Sequence, residues 1–364
     1  MEFGLSEDQK LLQESVGRTL EKVSPLDRVR KAAETREDYA ADVWAALRDL
    51  GVPGMMVPED FGGMGMKLLD AVLVAEMLGR HVAPVPFTGT AVMAPIALTG
   101  AGSAAQQEAW LPKLASGEAI AGVAVSERAA GARDGAGVTA AAGKLNGSAL
   151  FALDAAGADI LIVADKAGGL HLAKGDAKGL TKVALTSIDL TRGLTELQFD
   201  NVEAEALASG DAAATLGRMI DAGRVMLAAD MLGAGWAMID KAVAYAAERK
   251  QFGRVIGSFQ AVKHMCAEMA SELEPCRSLI WYAGHAFDEV PAEASLMAAH
   301  AKSLTAEVGR FVARTATEVH GGMGFTDLVG LHYWFKRIGL DRQLLGSPER
   351  VRGEAAKMQG WAAD

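Results

Sequence analysis

The sequence predicts an α+β fold that is mostly α-helical, with a small sheet between two helical regions. Apolar residues recur at helical spacing through residues 1–118 and again through residues 209–364. Between them, residues 119–208 hold short β-type runs separated by Gly, Asn and Asp clusters. We therefore expect three domains with these limits: an N-terminal helical domain, a middle β-sheet domain and a C-terminal helical bundle.

The N-terminal region carries three helix patterns. Ser6 followed by Gln9 is typical of a capping box that starts the first helix. A second helix runs through Trp44 and stops at Gly51. A third, LLDAVLVAEML at residues 68–78, is apolar almost all round, which predicts that it is buried. The Gly-rich segment VPEDFGGMGM, between the second and the third, is expected to form a turn.

The middle region carries three β-type runs, AIAGVAV, GADILIVAD and LTELQFDNV, which predict a small, mostly antiparallel sheet. From Ala212 the helical period returns. The run from Met219 to Arg249 predicts one long helix, and two or three further helices are expected after it. Their Ala, Leu and Met content suits close packing in a bundle.

Charge and composition exclude several classes of protein. The net charge of −10 argues against sequence-independent nucleic-acid binding, which needs clustered Lys and Arg. Cys266 and Cys276 are the two cysteines, too few for a disulfide framework, so we expect a reducing compartment. The first residues lack a basic segment followed by an apolar run, and no apolar stretch reaches about 18 residues. These observations predict a cytoplasmic protein without membrane insertion. The histidines show no metal-ligand spacing, so no metal site is expected.

Two motifs carry a resemblance to a known family. Residues Glu248–Arg254 read ERKQFGR and are followed by VIGSFQAVKH, and residues Thr317–Phe325 read TEVHGGMGF. Together with DFGGMG near the start, they resemble the acyl-CoA dehydrogenase family over essentially the whole chain. The resemblance implies that family's fold, with a C-terminal four-helix bundle, and α,β-dehydrogenation of an acyl-CoA thioester. It also implies FAD bound at a dimer interface, with the isoalloxazine ring in one subunit and the adenosine pyrophosphate reaching its neighbour.

The retained motifs supply groups suited to FAD. Arg249 offers fork geometry to the diphosphate, and the glycines let backbone N–H groups approach without a Cβ. Gln251 and Gln260 are expected to hydrogen-bond the pyrophosphate region, and Phe252 to pack on apolar faces of the cofactor. The cofactor-binding residues that the resemblance implies are Arg249, Gln251, Phe252, Gln260, Glu318, His320, Gly321, Gly322, Gly324 and Ser126.

The usual catalytic carboxylate is missing. In most family members a Glu follows the last GGxG helix, and in RQLLGSPERVR that position is Leu345. A minority place the Glu just before an Arg on the long helix, where this chain has Gly223 followed by Arg224, a weaker candidate for substrate binding. Asp221 and Asp230 lie nearby on the same helix, and either is a candidate for a relocated base. The commoner explanation is a solvated helix aspartate.

The segments that line the flavin ring in the family have also changed. TEPxxGSD appears here as SERAAGARD, in which Ser126 is kept, Arg128 replaces proline and Ala132 replaces serine. In NGSALFALDAAGAD, Phe151 stands for the aromatic that covers the flavin and Leu153 for a threonine near its N5. The ring pocket has therefore lost polar partners that the flavin needs.

Three hypotheses follow. The first is an FAD-completing subunit of a hetero-oligomer, which the short length and the ending HYWFKRIGLDRQLLG favour, because they resemble one partner of α2β2 acyl-CoA dehydrogenases of bacterial steroid degradation. The second is a self-sufficient homo-oligomer with Asp221 or Asp230 as the base. The third is a non-redox structural or thioester-binding relative. The partners implied are an acyl-CoA substrate, a second acyl-CoA dehydrogenase subunit and an electron-transfer flavoprotein.

Overall fold

The computed structural model of the chain describes residues 4–131, 133 and 135–362. The predicted order of helices, sheet and helices is confirmed. The change from helix to strand falls between Ala115 and Ala121, and the change back to helix falls between Leu207 and Ala212. The division into domains at 118/119 and 208/209 stays a prediction.

Six helices form the N-terminal region, and the predicted capping box opens the first of them. The N–H of Gln9 donates to Ser6 Oγ (3.2 Å), and the N–H of Ser6 donates to Gln9 Oε1 (3.0 Å). The apolar fourth helix is buried along most of its length, as predicted. The helices are α1 (Glu7–Val23), α2 (Leu26–Thr35), α3 (Ala41–Arg48), α4 (Leu68–His81), α5 (Ala94–Ala101) and α6 (Ala104–Ala115).

The segment between α3 and α4 is a compact turn built on glycine. It contains short 3₁₀ turns at Val52–Gly54 and Glu59–Phe61. A Cβ on Gly63 would lie 2.1 Å from the carbonyl oxygen of Val57, so only glycine fits there. Before α5, residues Thr88–Met93 form a π-helical turn that brings Met93 against the later bundle.

The middle region is a seven-stranded sheet with a short helix, α7 (Ser126–Ala130), after its first strand. Its strands are β1 (Ala121–Ala124), β2 (Gly137–Ala141), β3 (Lys144–Leu153), β4 (Ile160–Ala164), β5 (Leu170–Lys174), β6 (Leu180–Ala184) and β7 (Leu194–Leu207). The strand order is β2-β3-β1-β4-β5-β7-β6, and a further pairing of β3 with β7 joins the sheet into a ring. β1 and β4 run parallel, and the other strand pairs are antiparallel.

The β-type runs of the sequence correspond to β1, β4 and β7, and β3 contains NGSALFAL, the segment that the resemblance singled out. The strands β2, β5 and β6 were not predicted. These three strands have five residues each. Much of β6 is exposed, so it carries little apolar signal. Their pairing with longer neighbours, rather than their own composition, makes them strands.

The C-terminal region contains one long helix, α8 (Ala212–Glu248), and four further helices where two or three were expected. They are α9 (Gln260–Glu289), α10 (Pro291–His320), α11 (His332–Asp341) and α12 (Pro348–Met358). A hairpin of β8 (Lys250–Gln251) and β9 (Arg254–Val255) lies between α8 and α9. None of the helices in the described part of the chain is long and apolar enough to cross a membrane.

Small residues let α8 cross α4 at very short range. A Cβ on Gly233 would lie 1.8 Å from the carbonyl oxygen of Glu76, and a Cβ on Gly79 would lie 1.9 Å from that of Asp230. The backbones therefore touch at both points of the crossing. For Gly233, close helix packing rather than room for a ligand explains the small residue.

Candidate functional site

The two motifs of the predicted cofactor half-site meet at one end of the bundle. The hairpin β8–β9 directly follows the end of α8. In the last turn of α8 the ring of Tyr245 stacks on that of His320, with centroids 4.7 Å apart and planes 24° apart. His320 is the last residue of α10, immediately before the turn Gly321–Phe325. The stack therefore holds the ERKQFGR and HGGMGF segments beside each other.

The hairpin presents an aromatic tip to solvent. Phe252 and Gly253 form the tip, both with positive φ (53° and 77°), and Phe252 is 91% exposed. Phe259 meets the edge of Phe252 at 6.2 Å, and the guanidinium of Arg254 lies 3.9 Å from the centre of the Phe259 ring. The predicted packing of Phe252 on a cofactor stays a prediction; in the single chain the ring is open to a ligand or a neighbour.

Polar side chains flank this tip. Arg249, Gln251 and Gln260 are exposed, so their hydrogen-bonding groups face solvent. The backbone under Arg249 is fixed, because its N–H donates to the carbonyl of Tyr245 (2.9 Å) and its carbonyl accepts from the N–H of Ile256 (2.7 Å). A rigid backbone that carries an exposed guanidinium and two amides suits recognition of a diphosphate.

The glycine turn has free space around the Cα atoms at its start, Gly321 and Gly322, and is tightly packed at Gly324. Gly321 has a positive φ of 57°, and a Cβ on Gly321 or Gly322 would meet no atom of the described residues within 4 Å. A Cβ on Gly324 would lie 2.8 Å from the carbonyl oxygen of Thr317. Gly324 is therefore required by packing within the turn, while the open backbone at Gly321 and Gly322 leaves room for a ligand. The side chain of Glu318 is exposed beside them.

His320 is buried and acts on the turn. Its Nδ1 lies 2.7 Å from the carbonyl oxygen of Ala316, a contact that requires the proton on Nδ1. Burial lowers the pKa of His320, so the imidazole is neutral at physiological pH. Contact of His320 with the cofactor stays a prediction; in the single chain its ring is fixed by Ala316 and by the stack on Tyr245.

The two positions predicted from the resemblance to correspond to the catalytic Glu, Gly223 and Leu345, lie in contact. A Cβ on Gly223 would lie 2.5 Å from Leu345 Cδ1 and 3.0 Å from Met93 Sδ. Leu345 is 1% exposed, has a positive φ of 55° and belongs to an apolar cluster with Leu227 and Leu344. The structure thus brings the candidate base positions together and fills the space between them with apolar atoms.

Arg224 is held beside this point. It is buried, its Nε donates to the carbonyl of Leu345 (3.0 Å), and its Nη2 lies 2.7 Å from Glu354 Oε2. The guanidinium thereby ties the loop that carries Leu345 to α8 and α12. Contact of Arg224 with a substrate stays a prediction, and it requires the Glu354 pair to open.

Neither Asp221 nor Asp230 is solvated, which corrects the simpler explanation offered for both. Asp221 is buried and accepts a hydrogen bond from Ser295 Oγ (2.5 Å); burial raises its pKa. Asp230 is buried between Arg192 and Arg337, with Oδ2 3.1 Å from a nitrogen of each. Asp230 is thus paired with two arginines, which makes it a poor proton acceptor. Of the two candidates, only Asp221 is still available as a base.

In the segment SERAAGARD, which was expected to line the flavin ring, Ser126 and Glu127 bond to the backbone of β3. Ser126 is buried, and its Oγ donates to the carbonyl of Phe151 (3.0 Å), while the Glu127 carboxylate accepts from the N–H of Leu150. Leu153 is buried in the sheet. Flavin binding by Ser126 stays a prediction, and its hydroxyl is already engaged within the chain. The predicted replacement at Ala132 lies outside the described residues.

Sequence reasoning missed Met93, Glu354 and Tyr245. Met93 covers Gly223, Glu354 pairs with Arg224, and Tyr245 stacks on His320. The partners in each pair come from distant parts of the chain, and no local pattern marks them.

The two halves of the candidate site offer FAD different groups. The exposed Arg249 and the open turn at Gly321 and Gly322 fit the adenosine pyrophosphate. On the ring side, Leu153 is buried and its side chain offers no hydrogen bond, and the Ser126 hydroxyl is engaged within the chain. Among the described residues no group of three or more His, Cys, Asp or Glu side chains is placed to hold a metal ion.

Two family descriptions match the chain. Residues 6–118 match "Acyl-CoA dehydrogenase, N-terminal domain", and residues 213–359 match "Acyl-CoA dehydrogenase, C-terminal domain". Acyl-CoA dehydrogenase IpdE2 of Mycolicibacterium smegmatis is 31% identical over 350 residues, which cover 96% of this chain and 98% of the relative.

Solved structures show the same fold. The ChsE4–ChsE5 complex from Mycobacterium tuberculosis matches with a TM-score of 0.90 at 25% identity, covering 100% of both chains. The Tcur3481–Tcur3483 steroid ACAD G363A variant matches with a TM-score of 0.87 at 28% identity, covering 97% of this chain and 98% of that one.

Proposed function

The chain belongs to the acyl-CoA dehydrogenase family, flavoproteins that oxidise acyl-CoA thioesters with FAD, and from this premise we propose that it completes the FAD site of a second, catalytic chain. The partner would carry the catalytic Glu. Together they would form a hetero-oligomeric acyl-CoA dehydrogenase of the α2β2 type.

One observation carries the proposal: Gly223 and Leu345 meet in an apolar, buried contact. The reaction removes a proton from the α-carbon of the thioester, so a base must lie within hydrogen-bond reach of that carbon. When bound, the flavin takes up the hydride that leaves the β-carbon. At the point where this chain would hold the base, neither Gly223 nor Leu345 offers a proton acceptor. Met93 fills the remaining space.

The opposite half of the site supports the same conclusion. Arg249, Gln251 and Gln260 are exposed at the hairpin, and the glycine turn is open beside them. These groups face outward, as expected for groups that bind the cofactor of a neighbour. This chain's own residues would hold the diphosphate with Arg249 and orient it with backbone N–H groups of the turn.

Exposed apolar side chains surround this half-site. Phe252 at the hairpin tip is 91% exposed, and Phe325 and Leu328, at and after the glycine turn, are 82% and 76% exposed. Large apolar side chains grouped around a polar site are typical of a surface that a partner covers. They support a protein neighbour at the place where the cofactor would lie.

Two similar structures point to the kind of assembly and substrate. Both are named as pairs of proteins, ChsE4–ChsE5 and Tcur3481–Tcur3483, and the second is described as a steroid ACAD. By this likeness the proposed complex would act on a bulky, steroid-type acyl-CoA. An electron-transfer flavoprotein would accept the electrons.

The test is to search the adjacent genes for an acyl-CoA dehydrogenase that carries the Glu, and to purify the chain alone and together with that partner. We expect stoichiometric flavin and acyl-CoA dehydrogenation from the pair, and neither from the chain alone. Yellow protein that is bleached by acyl-CoA without any partner would overturn the proposal.

Arg249→Ala tests the half-site directly. We expect the assembled pair to lose most of its flavin, because the diphosphate loses its fork-shaped cation. Arg18→Ala, at an exposed arginine of α1, is the matched control and should leave the flavin content unchanged. Equal flavin absorbance in the two variants would count against binding in trans.

A self-sufficient enzyme with a relocated base remains the second candidate, because Asp221 is a buried carboxyl whose pKa is raised by burial. In that case the chain alone would turn over, and Asp221→Asn would lower kcat by orders of magnitude. A non-redox relative would show no flavin with or without a partner.

A further inference from the structure

A cluster of buried charges lies where the N-terminal helices, the sheet region and the bundle meet. Arg337 of α11 is 2% exposed, and its guanidinium lies 2.9 Å from Asp189 Oδ2 and 3.1 Å from Asp230 Oδ2. Arg192 lies 3.1 Å from Asp230 Oδ2 and 3.2 Å from Asp341 Oδ1. Asp189 and Arg192 come from the β6–β7 connection, Asp230 from α8 and Asp341 from α11. The cluster therefore joins separate layers of the fold.

Two further titratable groups face the cluster from other elements. Asp154, just after β3, accepts from the N–H of Gly89 (2.6 Å), and burial raises its pKa to about 6. Lys302 of α10 donates to the carbonyl of Arg342 (2.9 Å), and burial lowers its pKa to about 7. The carboxyl groups are Asp154, Asp189, Asp230 and Asp341, and the cations beside them are Arg192, Arg337 and Lys302, with Arg224 and Arg342 also near Lys302. In the ion pairs of the described residues, two arginines are shared by three of these carboxyl groups, Asp189, Asp230 and Asp341.

Asp341 is the group left without donors. It is 0% exposed, and neither of its oxygens has a hydrogen-bond partner among the residues that the structure describes. The Nε of Arg192 is close to it but lacks the alignment of a hydrogen bond. Asp230 Oδ1 is likewise without a partner in the described chain. Burial raises the pKa of Asp341, the charge of Arg192 opposes that shift, and the neighbouring carboxyl of Asp230 adds to it.

A bound cation is a poor source of the missing positive charge. The cavity beside Asp230 has a volume of about 10 Å³, room for one water molecule at most. Both Arg192 and Arg337 line it and would repel a cation. An ionised carboxylate that is buried without hydrogen-bond donors is strongly unfavourable, so a proton is the simplest way to satisfy Asp341.

We propose that Asp230 and Asp341 share one proton in the folded chain, and that this acid pair holds the end of α11 against α8. Asp341 is the last residue of α11, four positions before Leu345. The shared proton thereby fixes the start of the loop that fills the vacant base position. The inference concerns this chain's own fold and does not depend on the proposed partner.

The pH dependence has a defined sign. An unfolded Asp ionises near pH 4, whereas the folded pair keeps its proton, so the unfolded chain releases a proton that the folded chain holds. The contribution of this pair to stability is therefore greatest below about pH 4 and falls as pH rises toward the raised pKa of Asp341.

The test is urea unfolding of the full chain, in the form in which it purifies, between pH 5 and pH 8. Asn mimics a protonated Asp, so Asp341→Asn should show a flatter fall of the urea midpoint with pH than the natural chain. At pH 8 its midpoint should equal or exceed the natural one. Asp240→Asn, at an exposed carboxylate of α8 paired with Arg80, is the control and should keep the natural slope. A midpoint that Asp341→Asn lowers equally at every pH would overturn the proposal.

Infrared spectroscopy tests the proton without relying on stability. The natural chain at pH 8, above the pKa of Asp154, should show the C=O stretch of a protonated carboxyl group. Asp341→Asn or Asp230→Asn should remove it. If neither variant folds, the natural chain is compared with Asp221→Asn, because burial also raises the pKa of Asp221. A band that persists in Asp221→Asn at pH 8 supports the shared proton, and its absence from the natural chain means that the pair is ionised.

Discussion

At the scale of single residues, the vacant base position is a packed interior rather than an empty pocket. Leu345 is 1% exposed, and its side chain lies against the Cα of Gly223. Its backbone has a positive φ, and its carbonyl accepts from Arg224. Substitution at either position changes the core as well as the chemistry.

Restoring the carboxylate should therefore not restore activity. Leu345→Glu places a charge among Met93 and Leu227, and we expect it to lower the free energy of unfolding by about 3 kcal/mol or more. No dehydrogenation by the chain alone is expected. Urea unfolding and a dye-reduction assay measure the two outcomes.

Leu11→Glu, at a residue more than half exposed on α1, is the matched control and should leave stability within about 0.5 kcal/mol. If Leu345→Glu were as stable as this control and the variant dehydrogenated acyl-CoA, the packed interior at Leu345 would accept a catalytic carboxylate and the prediction would be wrong.

At the scale of elements, the crossing of α4 and α8 depends on glycines that look alike in the sequence. Gly217 and Gly233 both lie on α8, yet a Cβ on Gly217 would meet nothing within 4 Å of it in the described chain. At Gly233 the same Cβ would lie 1.8 Å from a carbonyl oxygen of α4. Only the second glycine is required by packing.

Gly233→Ala should lower the free energy of unfolding by about 1–3 kcal/mol, because the two backbones must separate. Gly217→Ala on the same helix should raise it by about 0.5–1 kcal/mol through helix propensity. Urea midpoints of the two variants check this. Equal effects at both positions would mean that the crossing is looser than described.

At the scale of the whole molecule, the outward-facing half-site predicts how the chain assembles. Phe325 and Leu328 are exposed beside the glycine turn, so a partner that covers the half-site would bury them. A few residues near the centre of an interface, often aromatic, carry most of its binding energy.

Replacing Phe325 and Leu328 together by Ser should weaken the complex by at least tenfold in Kd and leave the fold of the single chain intact. Analytical ultracentrifugation of the mixed chains measures the first effect and circular dichroism the second. Replacing Ile188, which is 62% exposed on the sheet region, by Ser is the control. Unchanged assembly in the double variant would place the interface elsewhere.

The sequence by itself determined the family, the order of helical and sheet regions, and the contrast between retained and lost motifs. Those features are local: ERKQFGR, HGGMGF, the missing Glu and the helical periods are each read within a few turns of chain. Local signals also located β1, β4 and β7, but not β2, β5 and β6, whose pairing comes from their neighbours.

Only the tertiary structure decided what surrounds Gly223 and Leu345, the two positions predicted to have lost the catalytic Glu. Gly223 and Leu345 lie 122 positions apart and meet in one contact, which fills the base position with apolar atoms. Asp230 reads as a solvated helix residue and is instead enclosed by arginines from α11 and the sheet region. The Ser126 hydroxyl donates a hydrogen bond to the carbonyl of Phe151. The reason is physical: burial and partner choice depend on contacts between distant segments, and these contacts leave no period or spacing in the chain.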